Sequence, residues 1–232
     1  WKKLKLLSNK LKIKIISSPF SIEAFKMLYK SGIKNIKIAS GEVSNTSLLE
    51  EIARKDDVNI ILSSGMSDFK ELDRAYKILK NNNLAILQCT SAYPCPPEKV
   101  GLNIIADISN RYKVPYGLSD HTEGYAAAFA AVALGANIIE KHFTFSKQMY
   151  GSDAKNSMEP DQFEVFSSGI KEIWKMHKNP LTKKITKDIK KMKKIFEKSI
   201  VASTNIKANS VIVLENLSFK KPGTGINASE YK

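Results

Sequence analysis

The chain has 232 residues, 43% apolar and 26% charged, which is enough for one large domain, or one domain with a small appendage, around a sizeable core. No run of about 18 or more apolar residues occurs, so no membrane-spanning helix and no membrane partner are expected. The only cysteines, Cys89 and Cys95, flank a proline-containing turn with the spacing of neither a zinc site nor a secreted disulfide framework, and a cytoplasmic location is expected. A net charge of +14 would suit nucleic acid, yet residues 171–198 alone hold eleven lysines against three acids and no arginine. Lysine is a compact point charge and a poor reader of bases, so this stretch reads as a solvated helical linker, with no nucleic-acid partner.

The opening WKKLKLLSNKLKIKIISSPF begins on Trp1 rather than Met and mixes charge into its apolar residues, unlike a signal peptide, so the chain reads as a piece of a longer protein. Six short apolar runs follow, ending at Ser17, Ala39, Leu62, Gln88, Leu118 and Glu140, at intervals of 22 to 30 residues. Each gap holds a helix-like stretch. Ile22, Phe25 and Leu28 recur behind Ser21, an N-cap candidate, and Gly32 closes that helix. Phe69, Leu72, Tyr76 and Leu79 form a stripe behind Asp68 and Glu71, spaced as a capping box. AAAFAAVALGA is a small-residue helix, and Phe163, Phe166, Ile170 and Ile173 follow Pro160, a residue suited to a first helical turn.

Buried strands alternating with helices imply a parallel α/β sheet, either doubly wound or closed as a (β/α)₈ TIM barrel. The first strand leads into SSPFS rather than a glycine-rich phosphate loop, which favours the barrel. A barrel places function at the strands' C-terminal ends, and those ends read SSPF, ASGE, SSGM, CTSAYP, SDH and EKHF. Five of the six carry hydroxyls, and two of the chain's three histidines, His121 and His142, fall there.

Lys37, between Ile36 and Ile38, alternates into the lumen, where a negative partner should meet it. With Ser40, Ser63 and Ser119 it offers the donors of a phosphate or carboxylate site, although each serine alone could equally cap a helix. His121 and His142, on adjacent strands, suit one divalent metal with open positions; the competing reading is two core histidines. Ser119-Asp120-His121 is not read as a hydrolase triad, because neighbouring strand residues point to opposite faces and Asp120 turns away to support structure. Glu42 and Asp153 are candidates to orient a metal-bound water or accept sugar hydroxyls, and Tyr93 to line the pocket.

The segments SSPFS, IKIASGE, ILSSGM, QCTSAYPCP, YGLSDHTEG, ALGANIIEKHFTF, GSDAKNSMEP and SIVAS…FKKPGTGI, in this order, resemble the sialic acid (nonulosonate) synthases. The resemblance implies a barrel followed by a small antifreeze-like (SAF) β domain in a domain-swapped homodimer. It implies condensation of phosphoenolpyruvate with N-acetylmannosamine or a related acylated amino sugar, releasing phosphate by C–O cleavage. A divalent metal is implied, manganese first, with magnesium or cobalt as alternatives. By position, His121 and His142 match the metal ligands; Lys37, Ser40, Ser63 and Ser119 match phosphoenolpyruvate contacts, with Ser18 where threonine is usual. Glu42, Tyr93 and Asp153 match substrate-side positions, Glu42 counting with the two histidines as catalytic, and Phe20 belongs to the substrate-binding set.

Three departures stand out. Ser91 replaces an asparagine near the phosphate, GSDA replaces the usual GPDH, and Lys221 replaces an arginine that reaches the partner's site, giving up a planar fork for a point charge. The expected organisation is a partial barrel over 1–177, comprising the family's strands 3–8, a lysine-rich linker over 178–198 and a truncated antifreeze-like domain over 199–232. Two strands would precede Trp1, so the fragment is expected to be inactive alone. The rival readings are another phosphoenolpyruvate-condensing barrel synthase and, in a different class, a basic nucleic-acid binder.

Overall fold

Six strands pair in parallel and in sequential order: β1 (Ile16–Ser17), β2 (Asn35–Ile38), β3 (Asn59–Ser63), β4 (Asn83–Cys89), β5 (Tyr116–Asp120) and β6 (Ile138–Lys141). They belong to a computed structural model that describes residues 1–231, in two units divided between Pro180 and Leu181. Helices α2 (Ile22–Lys30), α3 (Thr46–Ala53), α4 (Phe69–Leu79), α5 (Leu102–Tyr112) and α6 (Ala126–Ala133) fill the gaps between strands, and α7 (Pro160–Lys178) follows β6. This is the repeating βα plan of a barrel, seen as a half-barrel of six strands. No helix among the described residues is long and apolar enough to cross a membrane.

The N-cap residues act as read, although only the Asp68 half of the Asp68–Glu71 box forms. Ser21 Oγ accepts from Ala24 N at 3.1 Å, Asp68 Oδ1 from Glu71 N at 2.8 Å, and α7 begins on Pro160 with Glu159 and Gln162 as a capping box. The first strand is shorter than its apolar run suggested. β1 keeps only two ladder residues, paired with Asn35 and Ile36, and residues 2–11 ahead of it form α1 (Lys2–Leu11).

Strand pleating sorts the sheet's two faces. Ile36, Ile38, Ile60, Leu62, Leu84 and Ile86 are buried against α2 to α5 and form the main core with Phe25, Leu48, Ile52 and Leu79. Their neighbours in sequence point the other way, into the lumen. Register is pinned at the opposite end by a chain of asparagines: Asn83 Nδ2 donates to Asn59 Oδ1 at 2.6 Å, Asn59 Nδ2 to Asn35 Oδ1 at 2.8 Å, and Asn35 Nδ2 to the Ile15 carbonyl at 3.1 Å. A one-residue slip would break every link of it.

From Leu181, the second unit contains α8 (Lys187–Phe196) and an antiparallel pair, β7 (Ser199–Ala202) with β8 (Leu217–Lys220). That is too little regular structure to identify an antifreeze-like domain.

Helices α4 and α5 are tied by Asp73, whose Oδ1 accepts from Arg111 Nε at 2.8 Å and from the Tyr112 hydroxyl at 3.0 Å. The Arg111 guanidinium, helped by Tyr112 and only partly opposed by burial, holds the Asp73 carboxyl down at about 2, from an ordinary 3.8. A depressed carboxylate stabilises the fold above its unfolded pKa, and the stabilisation is lost as pH falls through the folded one. Asp73→Asn should therefore be less stable than the parent in urea at pH 7, with the gap closing between pH 3.8 and about 2. A gap independent of pH would contradict this role.

Candidate active site

At the C-terminal ends of the strands, the lumen face carries polar groups in place of the core's apolar ones. Lys37 on β2 has only 12% of its side chain exposed, and its Nζ lies 3.0 and 2.9 Å from the two carboxylate oxygens of Glu140 on β6. The sheet is thus curled enough for its second and sixth strands to meet across the lumen. Ser119 Oγ, on β5, donates to Glu140 Oε1 at 3.1 Å. The negative partner required for a lumenal lysine is present in the protein itself, and it is Glu140.

His121 and His142 follow the last residues of β5 and β6, with ring centroids 5.2 Å apart. The Tyr93 ring lies 4.3 Å from His121 and 5.9 Å from His142, and Asp153 Oδ2 is 3.7 Å from His142 Nδ1. His121 Nδ1 is 3.0 Å from the Thr90 carbonyl. A carbonyl only accepts, so Nδ1 carries the proton and Nε2 keeps its lone pair, the usual orientation of a metal-binding imidazole. Burial alone would lower the His121 pKa, but the Cys89 thiol and the Thr90 carbonyl outweigh it and hold it above the ordinary value. Burial, then the neighbouring His121, push His142 below it. Among the described residues no group of three or more His, Cys, Asp and Glu side chains is arranged to hold a metal ion. Two imidazoles with a nearby carboxylate fit a divalent ion only as an open site, with water or substrate completing its coordination.

A second polar group surrounds Gly65, the glycine of SSGM. Ser40 Oγ accepts from Gly65 N at 3.1 Å and lies 3.6 Å from Cys89 Sγ. A Cβ built on Gly65 would sit 2.6 Å from both Ser40 Oγ and Ser91 Oγ and 2.7 Å from Cys89 Sγ, so these three groups converge on one point. Ser63 Oγ is buried and has no hydrogen-bond partner among the described residues. Unpaired buried hydroxyls are uncommon, and this one is a donor free for a bound acceptor.

The remaining candidates are spread out. Ser18 lines a cleft of about 690 Å³ between β1, β6 and α7, together with Lys37 and Glu140. Phe20 is exposed beside the start of α2. The Glu42 carboxylate accepts from Asn45 Nδ2 at 2.7 Å, at the head of α3, and makes no hydrogen bond to either histidine. Lys221 lies in the second unit, its Nζ 5.0 Å from the Phe196 ring centroid. Asp120 turns from the lumen into a buried ion pair with Lys141 at 2.8 Å, the supporting role its alternation implied. Glu140 and Cys89 were not singled out from the sequence. The alternation that separates Asp120 from Ser119 and His121 would, on the next strand, have placed Glu140 with His142 and left Lys141 to Asp120.

This geometry can be set beside known proteins. The model of the NeuB family matches residues 1–182. The chain belongs to the NeuB family. An N,N'-diacetyllegionaminic acid synthase from Campylobacter jejuni is 38% identical to this NeuB chain over 100% of the chain and 70% of its own length. A pseudaminic acid synthase from Campylobacter jejuni is 33% identical over 93% of the chain and 63% of its own length. The crystal structure of an N-acetylneuraminic acid (sialic acid) synthetase from Leptospira borgpetersenii in complex with citrate aligns with a TM-score of 0.76 at 31% identity, covering 83% of this chain and 69% of that one. The NeuB chain thus spans about two thirds of the length of the proteins it matches.

Gly65→Ala tests the convergence at the second polar group. Overpacking three side-chain atoms at once should cost about 1–3 kcal/mol, read as a lowered urea midpoint with an unchanged slope. A variant as stable as the parent would mean that Ser40, Ser91 and Cys89 do not close on this point.

Proposed function

We propose that this chain carries most of the active site of a nonulosonate synthase, a C–C bond-forming transferase that condenses phosphoenolpyruvate with an N-acylated amino sugar. The observation that supports it most is the meeting of two unlike sites in one barrel mouth. The His121–His142 pair stands with Tyr93 and Asp153, and through Cys89, 3.9 Å from His121 Nδ1, it adjoins the hydroxyl group of Ser40 and Ser91 around Gly65, two residues after the unpartnered Ser63. His121 and His142 would hold a divalent metal, manganese first, and the metal when bound supplies Lewis acidity to the sugar aldehyde.

The chain's own residues divide the remaining work. Ser40 and Ser63 give neutral donors to the carboxylate and phosphate of phosphoenolpyruvate, and Lys37 and Ser119, which bond Glu140 in the ligand-free protein, turn to the same anion when it binds, with Ser18 and Ser91 at the edges of that site. The enol carbon of phosphoenolpyruvate bonds to the aldehyde carbon as the C=O π pair moves to the aldehyde oxygen, which takes up the proton that the adding water releases. Water adds at the phosphate-bearing carbon, and the bond from that carbon to the phosphate oxygen breaks, releasing phosphate. Tyr93, Asp153 and Glu42 face the sugar, and Phe20 and the partner's copy of Lys221 complete its pocket in a homodimer. Two further strands would close the barrel, and an antifreeze-like domain would extend the second unit. Relatives of similar identity carry names of different products, so the acyl pattern of the sugar is left to experiment.

A chimera provides the test, with this chain replacing its aligned region in the Campylobacter jejuni legionaminic acid synthase. It should release phosphate from phosphoenolpyruvate with an acylated amino sugar in the presence of Mn²⁺, and His121→Ala or His142→Ala should each reduce turnover to background. The 232-residue chain alone should give no product. Metal-independent turnover, or full activity in either alanine variant, would overturn the reading.

A further inference from the structure

The ladder between β5 and β6 ends at the pair Asp120–Lys141, one residue before His121 on one strand and His142 on the other. Beyond that pair no ladder bond joins the two strands directly: the His121 carbonyl accepts from Cys95 N at 2.8 Å and the His142 carbonyl from Met158 N at 2.9 Å, which ties each histidine to a separate loop and not to the other. The side chains behind them take over. Lys141 Nζ bonds Asp120 Oδ2 at 2.8 Å, the Thr122 carbonyl, and Thr122 Oγ1 at 3.3 Å, while Asp120 Oδ1 accepts from Thr122 N at 2.8 Å. One ammonium, on the residue next to His142, therefore grips the chain on both sides of His121. Both charged side chains are almost fully buried, at 2% exposure for Lys141 and 0% for Asp120.

A buried ion pair is poor evidence for stability, because desolvating two charges cancels much of their attraction, and well-packed apolar replacements are often neutral or better. Its rigidity and directionality are what an apolar pair lacks. We infer that Asp120 and Lys141, with Thr122, form a positioning clamp that sets the separation of His121 and His142 so that both imidazoles reach one divalent ion. The inference rests on the proposed sharing of an ion by these histidines. Neither clamp residue touches the ion or the substrate; both act from the outer face of the strands, through the backbone.

The test uses the 232-residue chain and Co²⁺ as the probe, followed by its visible absorption and by calorimetric titration. In Asp120→Leu/Lys141→Met both charges are replaced by apolar groups. It should keep a cooperative thermal transition close to the parent's, yet bind Co²⁺ about tenfold or more weakly, on the scale of lost support behind metal ligands, with an altered spectrum. Asp120→Asn, which keeps an acceptor for Thr122 N and removes only the charge, covers the case in which the double variant fails to fold; it should weaken binding by about tenfold. A folded variant with parental affinity and spectrum overturns the clamp, provided His121→Ala abolishes binding. No Co²⁺ binding by the unaltered chain overturns the shared-ion reading itself, and the clamp with it.

Discussion

Successive residues of a strand must point to opposite faces, and the rest of this structure depends on that constraint. On the outer face it gives Ile36, Ile38, Ile60 and Leu62 to the helices and to the main core. On the inner face it gives Lys37, Ser63, Ser119 and Glu140 to a lumen where charge and hydroxyls collect. The same pleat, carried one residue past β5 and β6, sends the two histidines inward and the Asp120–Lys141 pair outward. Site and scaffold are thus two readings of the same strands, and a shift of register by one would exchange them.

The barrel mouth is electrostatically organised before any ligand arrives. Lys37 is matched by Glu140, the imidazoles of His121 and His142 are pushed in opposite directions, and the Thr90 carbonyl holds the first of them in a defined tautomer. Such arrangement of dipoles and charges in advance lowers the reorganisation that binding or reaction would otherwise require. Ser63 is the exception, a buried hydroxyl with no partner among the described residues, and it lies where the proposal places an anion.

Much of the half-barrel was legible because its signals are local and repeated. Spacing gave the six strands, and Ser21, Asp68 and Pro160 marked helix starts by the chemistry of their first turns. The inward turn of Lys37 and the outward turn of Asp120 followed from alternation alone. Features that depend on partners far apart in sequence were not legible. Glu140 meets Lys37 across 103 positions, the asparagine chain joins three strand starts, and Cys89 takes its meaning from Ser40 and His121. Helix α1 was missed for another reason: none of its residues is buried, so its apolar residues carried no core pattern to read. The family resemblance was specific because most of its motifs sit at the ends of the parallel strands, where the structure collects Lys37, the serines and the two histidines.

The central claim is that His121 and His142 serve one ion. Electron spin-echo envelope modulation of Mn²⁺ added to the chain, with histidine nitrogens labelled with ¹⁵N, counts imidazoles bound to the metal directly. Two equivalent-strength nitrogen couplings, reduced to one in His121→Ala and in His142→Ala, are the result this account requires. A single coupling in the unaltered chain, or two that survive either substitution, would contradict it.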